Sequence, residues 1–130
     1  MPEGIDYSSS NSPAIIGLRA SYVGNQVYAY SGIVPVNATE TTLLEWTSGN
    51  KITIGQFTFN KDTGDGDDMR YQVYINGNVV QGWVHDYSAR GFRNIVEIIL
   101  PPFTNVKATG DNDTSNTDRD TVCTFVGHTV

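Results

Sequence analysis

The chain has 130 residues, a net charge of −6, 38% hydrophobic and 17% charged residues, and 13 glycines; its length is that of one domain able to bury a core without covalent staples, and its composition fits a β-rich chain with many turns. Acidity without any basic stripe excludes the electrostatic footprint of a nucleic-acid binder and argues against binding to anionic membranes. No apolar run approaches the length of a membrane span, and a lone cysteine, Cys123, rules out an intrachain disulfide, as expected of a chain that folds in a reducing cytoplasm.

Residues 1–13 are small and polar and cannot bury enough to order themselves. They lack the basic-then-apolar pattern of a secretion signal. A short apolar patch follows at Ala14, Ile15, Ile16, Gly17 and Leu18. It reads either as a first edge strand or as an anchor that orders on a partner. The expected organisation is an extended N-terminal arm over residues 1–22 and a single β-sandwich domain over residues 23–130.

From Ser21 onward strand signals recur every 8 to 12 residues or so, with turn residues between them, and no window shows a helical stripe. Strands are predicted over residues 26–30, 33–36 and 41–46, with Pro35 confining the second to an edge or bulge. Residues 51–59 alternate, with Ile52, Ile54, Phe57 and Phe59 as the apolar set. Their parity switches across Gly55 and Gln56, which predicts a β-bulge at the glycine. Residues 69–75 and 78–84 form a hairpin around Asn76-Gly77, the pair that a type I′ turn requires because both residues take positive φ. That turn sets Ile75 opposite Asn78 and Tyr71 opposite Gly82, with Tyr71, Val73 and Ile75 on one face. Val80 and Trp83 differ in parity, so the second strand is either buried on both sides or bulged near Gly82. Further strands over 94–100, 103–109 and 121–128 flank a turn at Pro101-Pro102 and a polar stretch at 110–120. The predicted fold is all-β, an antiparallel β-sandwich or jelly roll of about eight strands behind the N-terminal arm.

The charge is concentrated. Residues 61–70 carry a net −2 and residues 110–120 a net −3, five of the six excess negatives. Asp62, Asp65, Asp67 and Asp68 put four carboxylates among glycines and form a candidate Ca²⁺ loop. The spacing differs from the twelve-residue calcium loop and no glutamate closes it, so a solvated turn is the simpler reading and no cofactor is expected. The 110–120 stretch reads as a turn whose Asn, Asp, Ser and Thr side chains satisfy local backbone groups, or else as a rim for sugar or partner contact. His85, Asp86 and the many serines lack a nucleophile elbow. Glu45 and Glu97 lie on strands with nothing to place them as a catalytic pair. No catalytic residue, and no enzyme, is predicted. Tyr22, Tyr28, Tyr30, Tyr74 and Tyr87 would stack on sugars if they lay exposed in a row, although sandwich packing explains the same aromatics. Cys123, alternating with Phe125, reads as a small buried hydrophobe.

Residues 99–109 (Ile99-Leu100-Pro101-Pro102-Phe103-Thr104-Asn105-Val106-Lys107-Ala108-Thr109), the polar loop after them and the strand from Thr121 to Gly127 resemble small virion proteins of tailed, notably marine, bacteriophages. Residues 42–50 followed by Gly55-Gln56-Phe57, and the hairpin at residues 71–77, are similar to the same group. The likeness spans about residues 40–130. It implies a β-sandwich or jelly-roll subunit on the capsid surface of the virion, made in the host cytoplasm: a decoration (cement) or head-fibre protein, often a homotrimer, whose partner is the major capsid protein. The resemblance carries no catalytic residues. The aspartate-rich 62–68 loop departs from the pattern, and the first 40 residues have no counterpart in it. On this reading the arm grips the shell through Ile15, Ile16, Leu18 and Tyr22. The main alternative is a fibre or receptor-binding head that recognises host glycans, and a β-sandwich hydrolase is a weaker one.

Overall fold

The computed structural model describes residues 20–61, 67–85 and 94–130. The apolar patch at Ile15, Ile16 and Leu18 lies outside the described residues, as do Asp62, Asp65, Asp86 and Tyr87. Ten strands run through the described chain: β1 (Ser21–Val23), β2 (Gln26–Tyr30), β3 (Val34–Val36), β4 (Thr41–Thr47), β5 (Thr53–Lys61), β6 (Met69–Ile75), β7 (Asn78–His85), β8 (Asn94–Leu100), β9 (Asn105–Asn112) and β10 (Arg119–Thr129).

They form two antiparallel sheets. One has the order β1-β2-β10-β5-β8, with β3 also paired to β10, and the other the order β4-β9-β6-β7. Without the three-residue β1 and β3, eight strands remain. The first, eighth, third and sixth of them lie in one sheet and the second, seventh, fourth and fifth in the other. This is the strand order of a jelly roll, as the spacing of strand and turn signals predicts. The polar stretch after Thr109 is shorter than expected, because β9 runs on through Asp111 and Asn112 and β10 begins at Arg119. Tyr22, placed at the end of the arm by its sequence, is the middle residue of β1. It pairs with Val27 and packs on the core.

The hairpin is as its turn residues require. Asn76 and Gly77 take φ of 50° and 84°, and Ile75 faces Asn78. Further along, Val73 pairs with Gln81 and Tyr74 with Val79, so Val80 is the extra residue of a bulge. The bulge therefore sits two positions before Gly82, and Tyr71 faces Trp83 instead of Gly82. Val79 and Val80 are both exposed on this edge strand, so nothing penalises the extra residue. A second shift, between Thr42 and Leu44 in β4, lets the consecutive Leu43 and Leu44 both enter the core.

The bulge expected at Gly55 is absent. β5 runs in unbroken register against both β10 and β8. Thr53, Phe57 and Phe59 are buried on the inner side, whereas Ile52 and Ile54 face outward. Gly55 is an inward position, and Gly127 of β10 lies directly opposite it. Neither can carry a side chain. A Cβ on Gly55 would stand 2.5 Å from the Val126 carbonyl oxygen and 2.6 Å from the Phe125 ring, and one on Gly127 would strike the Ile54 carbonyl oxygen. The Phe125 ring occupies the space thus left, 4.8 Å from Phe57 and 5.0 Å from Trp46 between ring centroids. Phe59 continues the cluster, 6.1 Å from Phe57 and stacked at 4.7 Å on Tyr71 of the other sheet. Centroid separations of this order add about 1 kcal/mol per pair to the area the rings bury.

Two crossings between the sheets are laced together at one end of the sandwich. The Ser48 hydroxyl donates to the Pro101 carbonyl and accepts from the Thr104 amide. The Ser48 amide donates to the Thr104 carbonyl, and the Phe103 amide to the Gly49 carbonyl. Prolines that can join no strand ladder thus have their surroundings satisfied by a neighbouring turn. Phe103, held at φ 54°, projects into solvent.

Gly55→Ala and Gly127→Ala are each expected to destabilise the fold by about 2–3 kcal/mol, the cost of overpacking a site whose nearest atoms are backbone. Urea unfolding checks this; a change within about 0.5 kcal/mol at both positions would show that the backbones separate freely.

Candidate functional site

In a free-standing sandwich both outer faces meet water, and polar residues alternate outward along the strands. Here the two outer faces differ. That of the β4-β9-β6-β7 sheet is cross-linked by polar contacts. Glu40, just before β4, accepts hydrogen bonds from the Tyr74 hydroxyl at 2.5 Å and the Thr109 hydroxyl at 2.6 Å. The bond from Thr109, then that from Tyr74, holds the Glu40 carboxyl below its ordinary pKa of 4.5. The same carboxylate pushes the Tyr74 phenol up. Lys107 Nζ stands 4.7 Å from the centre of the Tyr74 ring. Arg70 pairs with the buried Asp111 at 2.9 Å, an interaction that raises the guanidinium pKa.

The outer face of the other sheet is built from registered rows. Tyr28, Val126, Gln56 and Glu97 cross β2, β10, β5 and β8 in one line. Gln26, His128, Ile54 and Ile99 form the next line, and Tyr30, Thr124, Thr58 and Ile95 the line on the other side. Ile54, Ile95, Ile99 and Val126 are all exposed, Ile99 at 64%, and Ile52 and Val130 extend the apolar surface at one end. An open groove runs over this face, lined by Ile54, Ile99 and Val126, by the polar Gln26, Gln56, Glu97 and His128, and by the glycines of the opposed pair. Tyr28 and Tyr30 lie side by side with ring centroids 5.4 Å apart.

The sequence-predicted residues are distributed otherwise than a single site would need. Of the candidate calcium loop, Asp67 and Asp68 are described. The Asp67 carboxylate turns inward, accepting from Asn112 Nδ2 at 2.9 Å, Arg119 Nε at 2.9 Å and the Ser115 hydroxyl at 3.2 Å. The bond from Asn112, then that from Arg119, holds its pKa below the ordinary 3.8. Asp68 meets the 113–118 turn through its backbone, its amide donating to the Thr114 hydroxyl and its carbonyl accepting from the Asp113 amide. Among the described residues no group of three or more His, Cys, Asp or Glu side chains is arranged to hold a metal. Asp67 instead joins the two acidic stretches into one structural network.

Glu45 and Glu97 are exposed on strands of different sheets. Cys123 is fully buried, and burial pushes its thiol pKa well above the ordinary value. Of the five tyrosines, Tyr28 and Tyr30 share the outer face, Tyr22 is half-buried against the core, and Tyr74 belongs to the polar face. Sequence reasoning missed the face formed by Ile54, Ile95, Ile99 and Val126. The available signal was the shared parity of Thr53, Gly55, Phe57 and Phe59, which turns Ile52 and Ile54 outward.

No protein-family model matches the chain, and no curated protein matches it. Among solved structures it is similar to a subunit of Bacillus endospore appendages described as disulfide-linked pili (16% identity, 85% of this chain and 94% of that one, TM-score 0.49). It is also similar to a family 35 carbohydrate-binding module from Clostridium thermocellum (16% identity, 75% and 90%, TM-score 0.40). A third likeness is to VP2 of the infectious bursal disease virus subviral particle (10% identity, 82% of this chain and 33% of that one, TM-score 0.46). These distant likenesses concern strand arrangement, and no residue role passes from them to this chain.

The polar network makes stability sensitive to acid. Glu40 and Asp67 have folded pKa values below their unfolded ones, so their stabilisation is fully present above the ordinary carboxylate range and is lost as pH falls through the folded values. Urea midpoints are expected to drop as pH is lowered from 5 towards about 3. Thr109→Val should narrow the difference between pH 7 and pH 3, by removing the bond that most depresses Glu40. An equally steep acid limb in that variant would exclude Glu40 as a contributor.

Proposed function

We propose that the chain is a structural virion protein, a decoration protein that binds the outer shell of a tailed-bacteriophage capsid and stabilises it through non-covalent contacts with the major capsid protein. The observation that carries this reading is the contrast between the two outer faces. One has its polar groups engaged with one another and is suited to water. The other exposes Ile54, Ile95, Ile99 and Val126 in adjoining rows among polar residues, and adjoining exposed apolar groups mark a candidate contact surface. The resemblance of residues 40–130 to small phage virion proteins gives that surface its proposed partner. Mechanically, binding needs no chemistry: each copy removes apolar area from water across a seam of the shell. Repetition over symmetry-related sites, and linkage of copies in a homo-oligomer, turns modest contacts into firm attachment.

A second reading rests on the Tyr28–Tyr30 pair. Two tyrosine rings side by side on an exposed sheet, with Gln56 in the row of Tyr28 and Gln26 in the next, form a surface on which a sugar ring can stack, as a host-glycan-binding fibre head requires. A glycan array on the purified chain separates the two readings, with Tyr28→Ala and Tyr30→Ala as controls.

Cosedimentation with capsids of the parent particle tests the decoration reading. Ile99→Lys and Val126→Lys should each weaken shell binding at least about tenfold, about 1.4 kcal/mol, with a melting temperature within about 3 °C of the parent chain. Thr47→Lys, on the opposite outer face, should bind as the parent does. Undiminished binding by both Ile99→Lys and Val126→Lys would sink the assignment of this face to the shell.

A further inference from the structure

An open sheet edge presents unpaired backbone groups, and proteins protect such edges by shortness, bulges or charge. Three of the four outermost strands follow this rule. β1 has three residues, and β4 and β7 each carry a bulge. The fourth, β8, does not. It is seven residues long, runs in unshifted register along β5 from Asn94 to Leu100, and among the described residues pairs with no other strand. Its sequence, Asn-Ile-Val-Glu-Ile-Ile-Leu, holds no proline or lysine and one charge, Glu97. This edge has the form of an acceptor for a further strand.

The chain contains a matching donor. Of the three stretches outside the described residues, 62–66 is acidic and 86–93 is charged, whereas Ala14, Ile15, Ile16, Gly17 and Leu18 form an uncharged apolar segment of strand length. We propose that residues 14–18 of one copy add as a strand to the β8 edge of a neighbouring copy. Reach excludes the same chain as acceptor. The segment joins the fold at β1, on the opposite edge of this sheet, and the position beyond β8 is five strand spacings away, about 24 Å. The three residues from Leu18 to Ser21 span about 10 Å at most. The contact is therefore head-to-tail, with each copy donating at one edge and accepting at the other. Such a contact closes into a ring or runs on as a filament, according to the rotation between copies. The inference stands apart from shell binding, which uses the outer face and not the edge.

Cysteine cross-linking in the full chain tests it. Ile16→Cys is combined in turn with Ile95→Cys, Glu97→Cys and Ile99→Cys, three exposed β8 positions, and the native Cys123 is buried and does not interfere. On oxidation, at least one pair should give a ladder of covalent dimers and larger species on a non-reducing gel, and Ile16→Pro should shift wild-type multimers to monomer in sedimentation. Monomer alone from all three pairs overturns the proposal, and is also what pairing of the segment with its own β1 would give. Should the double variants lose their fold, a synthetic peptide of residues 12–19 added to the wild-type chain decides instead. Dissociation of the multimers upholds strand addition, and an unchanged size distribution overturns it. Loss of capsid binding in Ile16→Pro with multimers intact would return the arm to the shell and likewise overturn strand addition.

Discussion

The rest of the sandwich depends on one close approach, that of the Gly55 and Gly127 backbones in the middle of the larger sheet. No Cβ fits at either position, because carbonyl oxygens of the partner strand already fill the space. The absence of side chains there lets the Phe125 ring lie over the glycines and reach both Phe57 and Trp46. An aromatic cluster from Trp46 to Tyr71 then joins the two sheets. Close packing transmits the constraint: rings that touch across the core fix which residues of β5 and β10 point inward, and by alternation which point out.

That alternation produces the apolar outer face. Once Thr53, Gly55, Phe57 and Phe59 face the core, Ile52 and Ile54 face outward. Once Cys123 and Phe125 face the core, Val126 faces outward, beside Ile95 and Ile99 of β8. A bulge at Gly55 would have returned Ile52 and Ile54 to the interior and left a more polar exterior. The exposed apolar groups of this face are thus a consequence of how the core is packed.

The polar parts of the molecule hold its margins. Ser48 ties the Pro101-Pro102 crossing to the end of β4, and Asp67 ties the start of β6 to the last turn through Asn112, Ser115 and Arg119. The Asp67 carboxylate is shared among three donors, so this aspartate serves structure. The same division separates the outer faces: Glu40, Tyr74, Thr109, Arg70 and Asp111 engage one another on one sheet, while the other exposes Ile54, Ile95, Ile99 and Val126.

The sequence by itself determined what backbone dihedrals and short periods encode. Asn76-Gly77 specified its hairpin because few residues accept two successive positive φ angles. Alternation and turn spacing specified an all-β sandwich of eight principal strands, Pro35 confined its strand to an edge or bulge, and Pro101-Pro102 marked a place where a ladder cannot continue. Tertiary structure alone decided the matters that join distant residues. Gly55 meets Gly127 only when β5 and β10 pair, so a glycine that locally looks like a bulge is a close contact in the fold. Asp67 finds its partners 45 and 52 residues away, at Asn112 and Arg119, so the role of this one aspartate in the fold is not visible in its local sequence. Period and turn chemistry act over a few residues and can be read from them. Register between distant strands is selected by packing, and packing is a property of the assembled chain.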